Sequence, residues 1–524
     1  MNGREKSDPA IVAVKSTNEA ERSGSEPMEP RARAEGNANP QSAFRTQGRI
    51  DASQARERIR QAAKSNQKEK FTALLHHVTT QALEDAFRAI ARNVSAGIDG
   101  VTWRDYEADL GRKLEALRAR VQSGAYRATP SRRVYIPKPD GGRRPLAVAA
   151  LEDKIVQRAV VDVLNAIYEE DFLGFSYGFR PGRGAHDALD ALATAIDRTK
   201  VNFIVDADIA KFFDSVSQEW LVRFLEHRIG DKRILRLIQK WLKAGVLEDG
   251  RIEVTERGTA QGAAISPLLA NIYLHYALDL WADRWRRREA RGNVIIVRYA
   301  DDAVFGFEYE DDARRFLEAM RDRLAAFALT LHPGKTRLIE FGRHALASRE
   351  RRGLSKPETF DFLGFTFICA TSRKGRFLLK RKSRGDRMRA KLKDIKEGLR
   401  KRMHEPLARQ GKWLAQVVQG WFNYHAAPTN SHALAAFRFH VVDLWRRSMR
   451  RRSQKDLTTW QRIDAIAREC GRRLKSSTRG LNAASPSNTQ GGSRMRESRP
   501  YGSVRGALSN ERPYRNQDEV RGKL

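Results

Sequence analysis

The sequence predicts an α+β chain, with an antiparallel sheet and its helices first and a strongly basic α-helical section after them. Three observations predict it. An apolar run at Val201–Val205 ends in Asp206-Ala-Asp208, and two β-prone arms, Val294–Arg298 and Ala303–Phe307, flank an acid doublet. From Lys380 helical spacing takes over, and residues 371–412 hold 17 basic against 4 acidic side chains.

The elements follow in order. Residues 1–65 are rich in Gly, Ser, Asn, Pro and charge, too poor in large apolar side chains to offset the entropy of ordering, and are expected to be a disordered tail. From Phe71, apolar residues recur at helical spacing through Leu74, Leu75, Val78, Leu83, Phe87 and Ile90, and a Gly-rich loop ends that helix by Gly100. Arg133–Pro137 and Arg144–Val148 read as two arms of a hairpin around the turn Pro139–Gly142. Leu151–Asp171 is a helix with one apolar face, Val201–Asp208 a buried strand ending in acid, and Trp220–Leu247 mostly helix. Pro267 opens a further helix that runs to about Arg288. Val294–Phe307 is a hairpin, Ala313–Ala328 a helix, and Phe360–Phe367 a strand pair with Gly364 in its middle. Helices broken at Gly420 and Pro428 come next, and residues 471–524 read as a loosely ordered tail.

Charge restricts the partners. There are 98 Lys and Arg against 64 Asp and Glu, a formal net charge of +34. Such a chain repels itself unless a polyanion neutralises it, and nucleic acid offers closely spaced phosphates and counterions to release. No apolar run of about 18 residues and no signal-peptide core occurs, so no membrane partner is expected. The two cysteines, Cys369 and Cys470, form neither a disulfide framework nor a zinc site, which fits a reducing, cytoplasmic setting.

The acids restrict the chemistry. Tyr299-Ala-Asp-Asp302 puts two adjacent carboxylates at a hairpin tip, and Asp208 ends a buried strand. Buried carboxylates are costly unless cations or donors satisfy them. Two hard divalent cations about 3.5–4 Å apart would do so, and oxygen ligands favour Mg²⁺ over zinc. Asp206 and Asp208 share one strand face, and Asp208 lies nearer its end, so Asp208, Asp301 and Asp302 are the candidate metal ligands and catalytic residues.

Asp208 with Phe212-Phe213, and the Tyr-Ala-Asp-Asp box, resemble the palm motifs of reverse transcriptases. The surrounding motifs resemble those of group II intron reverse transcriptase/maturases, over roughly residues 70–460. Ile136-Pro-Lys-Pro-Asp-Gly-Gly-Arg-Arg-Pro-Leu146 is similar to the family's fingers hairpin, whose Lys138 and Arg144 would meet the triphosphate. Phe213 would lie beneath the nucleotide sugar. Gly258-Thr-Ala-Gln-Gly262 resembles the block in which Gln261 would approach the nucleotide and template; Ala260 and Ala263 stand where the family usually has Pro and Gly. Leu331-His-Pro-Gly-Lys335 is similar to the block whose lysine, here Lys335, meets nucleotide phosphates, and Phe362-Leu-Gly-Phe365 resembles the hairpin that grips the primer. In Gly174–Arg183, Arg180 and Arg183 suit template phosphates, while Phe175, Tyr177 and Phe179 also read as core. In Gly420-Trp-Phe-Asn-Tyr-His425, Trp421 and Tyr424 suit stacking on unpaired RNA bases, or the core of a helical thumb.

The resemblance implies a right-hand polymerase fold and RNA-directed DNA polymerase activity. Its partners would be dNTPs, an RNA template with DNA primer, host group II intron RNA bound to assist splicing and mobility, and target DNA. The organisation expected is a disordered tail at 1–65, fingers and palm at 66–375, a thumb/maturase RNA-binding domain at 376–460, and a basic tail at 461–524. Many members carry a zinc-linked DNA endonuclease after the maturase region. The one Cys beyond residue 400 cannot supply its Cys pairs, so that appendage is expected to be missing.

Overall fold

The computed structural model describes residues 40–137, 142–254, 257–452 and 458–470. In chain order the described strands are β1 (Ser131–Pro137), β2 (Arg143–Val148), β3 (Phe203–Asp208), β4 (Val246–Glu248), β5 (Arg251–Glu253), β6 (Val294–Tyr299), β7 (Asp302–Phe307), β8 (Arg337–Glu340), β9 (Phe360–Phe362), β10 (Phe365–Thr371) and β11 (Phe377–Ser383). They form three sheets, ordered β2-β1-β4-β5, β6-β7-β3-β8 and β11-β10-β9.

The β6-β7-β3-β8 sheet is antiparallel throughout and buried on both faces. Side chains alternate along a strand. Val205, Ala207, Ile296 and Phe305 therefore face one core with Phe316 and Met320 of helix Glu310–Ala325. Ile204, Val297, Val304 and Ile339 face a second core with Leu189 and Leu192 of helix Ala185–Arg198 and Phe360 of β9. Asp206 and Asp208 continue the Ile204 face, and Asp302 continues the Val304 face. Past the last apolar residue both strands present acid on the same side.

Helix Leu151–Asp171 lies in the first core, with Ile155, Val160, Leu164 and Ile167 buried. The helix opened by Ser266-Pro267 reaches Arg288 through a π-helical turn at His275–Asp279. A third core joins Leu399, Leu414, Val418, Phe437 and Trp445 from helices Gly385–Lys401, Leu407–His425 and Ser431–Arg450. No helix among the described residues is long and apolar enough to cross a membrane.

Three expectations need correction. Residues 40–65 are not a disordered tail but a helix, Pro40–Ser65. Averaged composition hides a narrow stripe: Ile59 and Ala63, four residues apart, are buried against the first core, and Arg60 Nε bonds Glu170 at 2.7 Å. Phe71–Leu74 is not helical, and only a single 3-10 turn, Leu75–His77, follows it. Phe71 bridges Ile229, and the N–H groups of Leu74 and Leu75 donate to the Asp231 carboxylate at 2.8 and 3.0 Å. The break before the helical section falls after Ser383 rather than at 376, because β11 completes the β9–β10 sheet. Lys138, residues 1–39 and residues 471–524 lie outside the described residues.

Candidate active site

The ladder register brings the predicted acids together. Asp208 of β3 pairs directly with Asp302 of β7, and Asp302 pairs with Tyr299 of β6 across a turn holding Ala300 and Asp301. Residues opposed in this way have Cβ atoms roughly 4.5–5.5 Å apart. Asp302 is exposed at the cleft floor. The protein mass around it, then the carboxylates of Asp301, Asp208 and Asp206, push its pKa up to about 7. Asp301 is also raised, by burial and then by Asp208, while Arg144 opposes the shift. Burial pushes Asp206 to about 6 although Arg337 Nη2 stands 3.5 Å from its carboxylate.

Lys335 Nζ lies 2.9 Å from Asp208 Oδ2 rather than pointing to an open phosphate position. Among the described residues no three His, Cys, Asp or Glu side chains are closed into a ready-made metal cage. The donor set still fits a hard divalent cation: it is all carboxylate oxygen, and the Asp208 carboxylate helps hold the pKa values of Asp301 and Asp302 up, which bound positive charge would relieve.

The turn is held from beneath by residues that sequence reasoning missed. Arg298, buried in β6, bonds Asp279 at 2.7 and 2.5 Å, Asn271 Oδ1 at 3.1 Å and Ser176 Oγ at 2.7 Å. Its remaining reach goes to the Ala300 carbonyl at 2.8 Å. Ala300 has φ of 57°, a left-handed conformation that costs an L-residue, so this bond helps hold the turn. Asp279 is aimed at Arg298 from the π-helical turn, a feature that recurs at functional sites. Gly178 closes the packing, since a Cβ there would fall 2.3 Å from Ala300 N. The available signal was an arginine inside the apolar run Val294–Tyr299, which needs a buried carboxylate partner.

Phe213 and Gln261 are tied together through the backbone. Phe213 follows Lys211, itself at φ of 46°, and its carbonyl accepts from Thr259 N–H at 2.8 Å. That bond ties Phe213 to the segment holding Gln261, whose carbonyl accepts from Ala147 N–H at 2.7 Å. Gly262, at φ of 113°, packs against the Ala147 carbonyl. The turn closes without the usual Pro and Gly: Ala263 N–H and Ser266 Oγ both donate to the Ala260 carbonyl, at 3.1 and 2.9 Å. Arg144 is exposed on β2 opposite Ile136, with its charge felt at Asp301.

Three of the side chains read from sequence as nucleic-acid contacts, Arg180, Arg183 and Trp421, turn inward, the last as its alternative reading as thumb core had it. Arg180 is 6% exposed, paired with Glu169 at 3.0 Å and donating to the carbonyls of Leu173 and Ser176 at 2.9 Å each. Its donors are consumed by the end of helix Leu151–Asp171 and the chain that follows it, so it is not presented to a template. Arg183 is half-buried, donates to Gly174 O at 2.5 Å and lies over the Tyr177 ring. Trp421 is packed between His425 and Phe437, with ring centroids 3.9 and 4.6 Å away, because its helix face turns into the third core. Tyr424 remains at the surface, and its hydroxyl donates to Leu363 O at 2.9 Å. Leu363 and Gly364, at φ of 46° and 81°, make the tight turn between β9 and β10. Phe179 is exposed rather than core.

Comparison with known proteins agrees with this geometry. Residues 136–367 match the family model described as reverse transcriptase (RNA-dependent DNA polymerase). Protein YkfC of Escherichia coli is 34% identical over 49% of this chain and 77% of its own length. An uncharacterized 91 kDa protein in the cob intron of Schizosaccharomyces pombe is 42% identical over 30% of this chain and 19% of its own. The group II intron-encoded protein LtrA of Lactococcus lactis is 34% identical over 42% of this chain and 37% of its own. The last two are thus matched over well under half their length. The antiparallel sheet with an acid pair across β3 and β7, the braced turn between β6 and β7, and these matches carry one conclusion: the chain belongs to the reverse transcriptase family, in the group II intron-encoded reverse transcriptase/maturase branch.

Proposed function

We propose that the protein is an RNA-directed DNA polymerase that extends a DNA primer on an RNA template, and that it binds its host group II intron RNA to assist splicing and mobility. The observation that carries the polymerase reading is the register pairing Asp208 with Asp302 beside Asp301. Reverse transcriptases use divalent metal ions. We propose Mg²⁺, held by Asp208, Asp301 and Asp302, supplying a deprotonated primer 3′-hydroxyl and charge neutralisation at the departing pyrophosphate.

The chain's own residues do the positioning. Arg144, with Lys138 on the same hairpin, would meet the dNTP triphosphate. Phe213 would close the floor beneath the sugar, and the backbone at Gln261-Gly262 would set the base against its template. Lys335 would exchange its bond to Asp208 for a phosphate when the nucleotide arrives. The basic section after Ser383 supplies an electrostatic surface for intron RNA and for target DNA. Tyr424 joins that section to the β9–β10 turn, so it would couple RNA held there to the primer.

The test is primer extension on an RNA template with dNTPs and Mg²⁺, beside filter binding of intron RNA. Asp301→Ala should lower extension by more than about 100-fold, beyond what losing an outer-shell partner usually costs, and leave RNA affinity unchanged. Extension by Asp301→Ala at the wild-type rate would sink the metal assignment.

A further inference from the structure

The loop Gly174–Arg183 lies along the outer edge of β6. Tyr177 N–H donates to Arg298 O, and Arg298 N–H donates to Phe175 O, each at 2.9 Å. It is a rigid loop. Arg180 is bonded inside it, Gly178 is pressed against Ala300, and Asn271 Nδ2 donates to the Gly178 carbonyl at 2.7 Å. Between these two locked residues stands Phe179, which breaks two rules at once. Its φ is 60°, a left-handed conformation unfavourable for a bulky residue, and its side chain is 52% exposed. Its ring does not fill a core; it lies 6.5 Å from the ring of Tyr299, the residue that opens the acid turn. Strain held by a fully bonded surround, spent on showing an aromatic ring to solvent beside reacting groups, points to a ligand contact.

The ligand follows from the layout around the acids. On the polymerase reading Phe213, just past β3, meets the nucleotide together with the Gln261-Gly262 backbone and Arg144. Phe179 and Tyr299 stand at the β6 edge, across β7 from β3. The helical section closes the same rim, for His186 Nε2 donates to the Tyr424 carbonyl at 2.7 Å. A primer 3′-hydroxyl that meets a nucleotide at Asp208 and Asp302 must arrive from this second side. We propose that Phe179 is a positioning residue for the end of the primer, its ring bearing on the sugar edge of the terminal base pair of the RNA template–DNA primer hybrid. An A-form-like hybrid has a wide, shallow minor groove that admits a ring there. The contact reads shape and ignores sequence. This rests on the polymerase reading above.

The experiment compares wild type, Phe179→Ala, Phe179→Gly and Phe179→Trp. It measures hybrid affinity by fluorescence anisotropy, KM and kcat in primer extension, and melting temperature. Phe179→Ala and Phe179→Gly should each weaken hybrid affinity and raise the primer–template KM about 10-fold, as loss of one aromatic base contact does, with kcat falling less. Phe179→Trp should restore most of it. Phe179→Gly, freed of left-handed strain, should melt no lower than wild type and above Phe179→Ala. Unchanged affinity and KM in both small variants would overturn the proposal. So would a common fall in melting temperature in both, which would make the ring structural. If wild type binds the hybrid but extends nothing, the polymerase reading fails instead, and anisotropy still decides whether Phe179 bears on the hybrid.

Discussion

At Asp302 the ordinary behaviour of a carboxylate is reversed. Unfolded, it gives up its proton near 3.8; folded, with the cleft and three other carboxylates around it, it holds that proton to about 7. The folded chain thus binds more protons than the unfolded chain between those values, and stability falls as pH rises through that window. Without divalent cation the melting temperature should drop between about pH 4 and pH 7. Saturating Mg²⁺ should remove the drop and release protons, and Asp302→Asn should flatten the profile. A melting temperature indifferent to pH and to Mg²⁺ would refute the shared-charge account of the floor. The acids themselves were legible in sequence because a carboxylate at the end of an apolar run is chemically conspicuous. Arg180 was misjudged because an arginine on a Gly/Pro loop looks the same whether its five donors face solvent or, as here, Glu169 and two carbonyls.

At the scale of elements, the turn between β6 and β7 depends on a helix far from it in sequence. Arg298 and Asp279 are both about 1% exposed, so breaking their pair leaves a buried charge uncompensated. Arg298→Met and Asp279→Asn should each cost about 3–5 kcal/mol in denaturant unfolding. Arg298→Met should also lose extension activity under conditions where it remains folded, because the Ala300 carbonyl loses its donor. Full activity in a folded Arg298→Met would show that the turn holds itself. Periodicity revealed the strands, since β6, β7 and β3 are short, β-branched and closed by turns. It could not reveal the register of β3 against β7, which joins residues nearly a hundred positions apart, nor the π turn that aims Asp279. Those depend on packing between elements, which local pattern does not encode.

At the scale of the whole molecule, charge governs association. With 98 basic against 64 acidic residues, RNA binding should lose at least about 10³-fold in affinity between 50 and 200 mM salt, as expected for roughly six or more neutralised phosphates. Titration of RNA affinity against salt measures this, and a flat response would show that stacking rather than charge carries the binding. The helical section was legible from composition, yet its division into core and surface was not. Trp421 went inward and Tyr424 stayed out, three positions apart on one helix, and only the neighbouring helices decide which face is covered.

The helix Pro40–Ser65 emerges from the ribosome long before its seat exists. Its partner in the Arg60–Glu170 bond lies 110 positions later, an interval of roughly 5–20 s at ordinary elongation speeds. Until Leu151–Asp171 has been made the larger part of that seat is missing, so the first-made helix of the described chain waits on a later neighbour before it can settle.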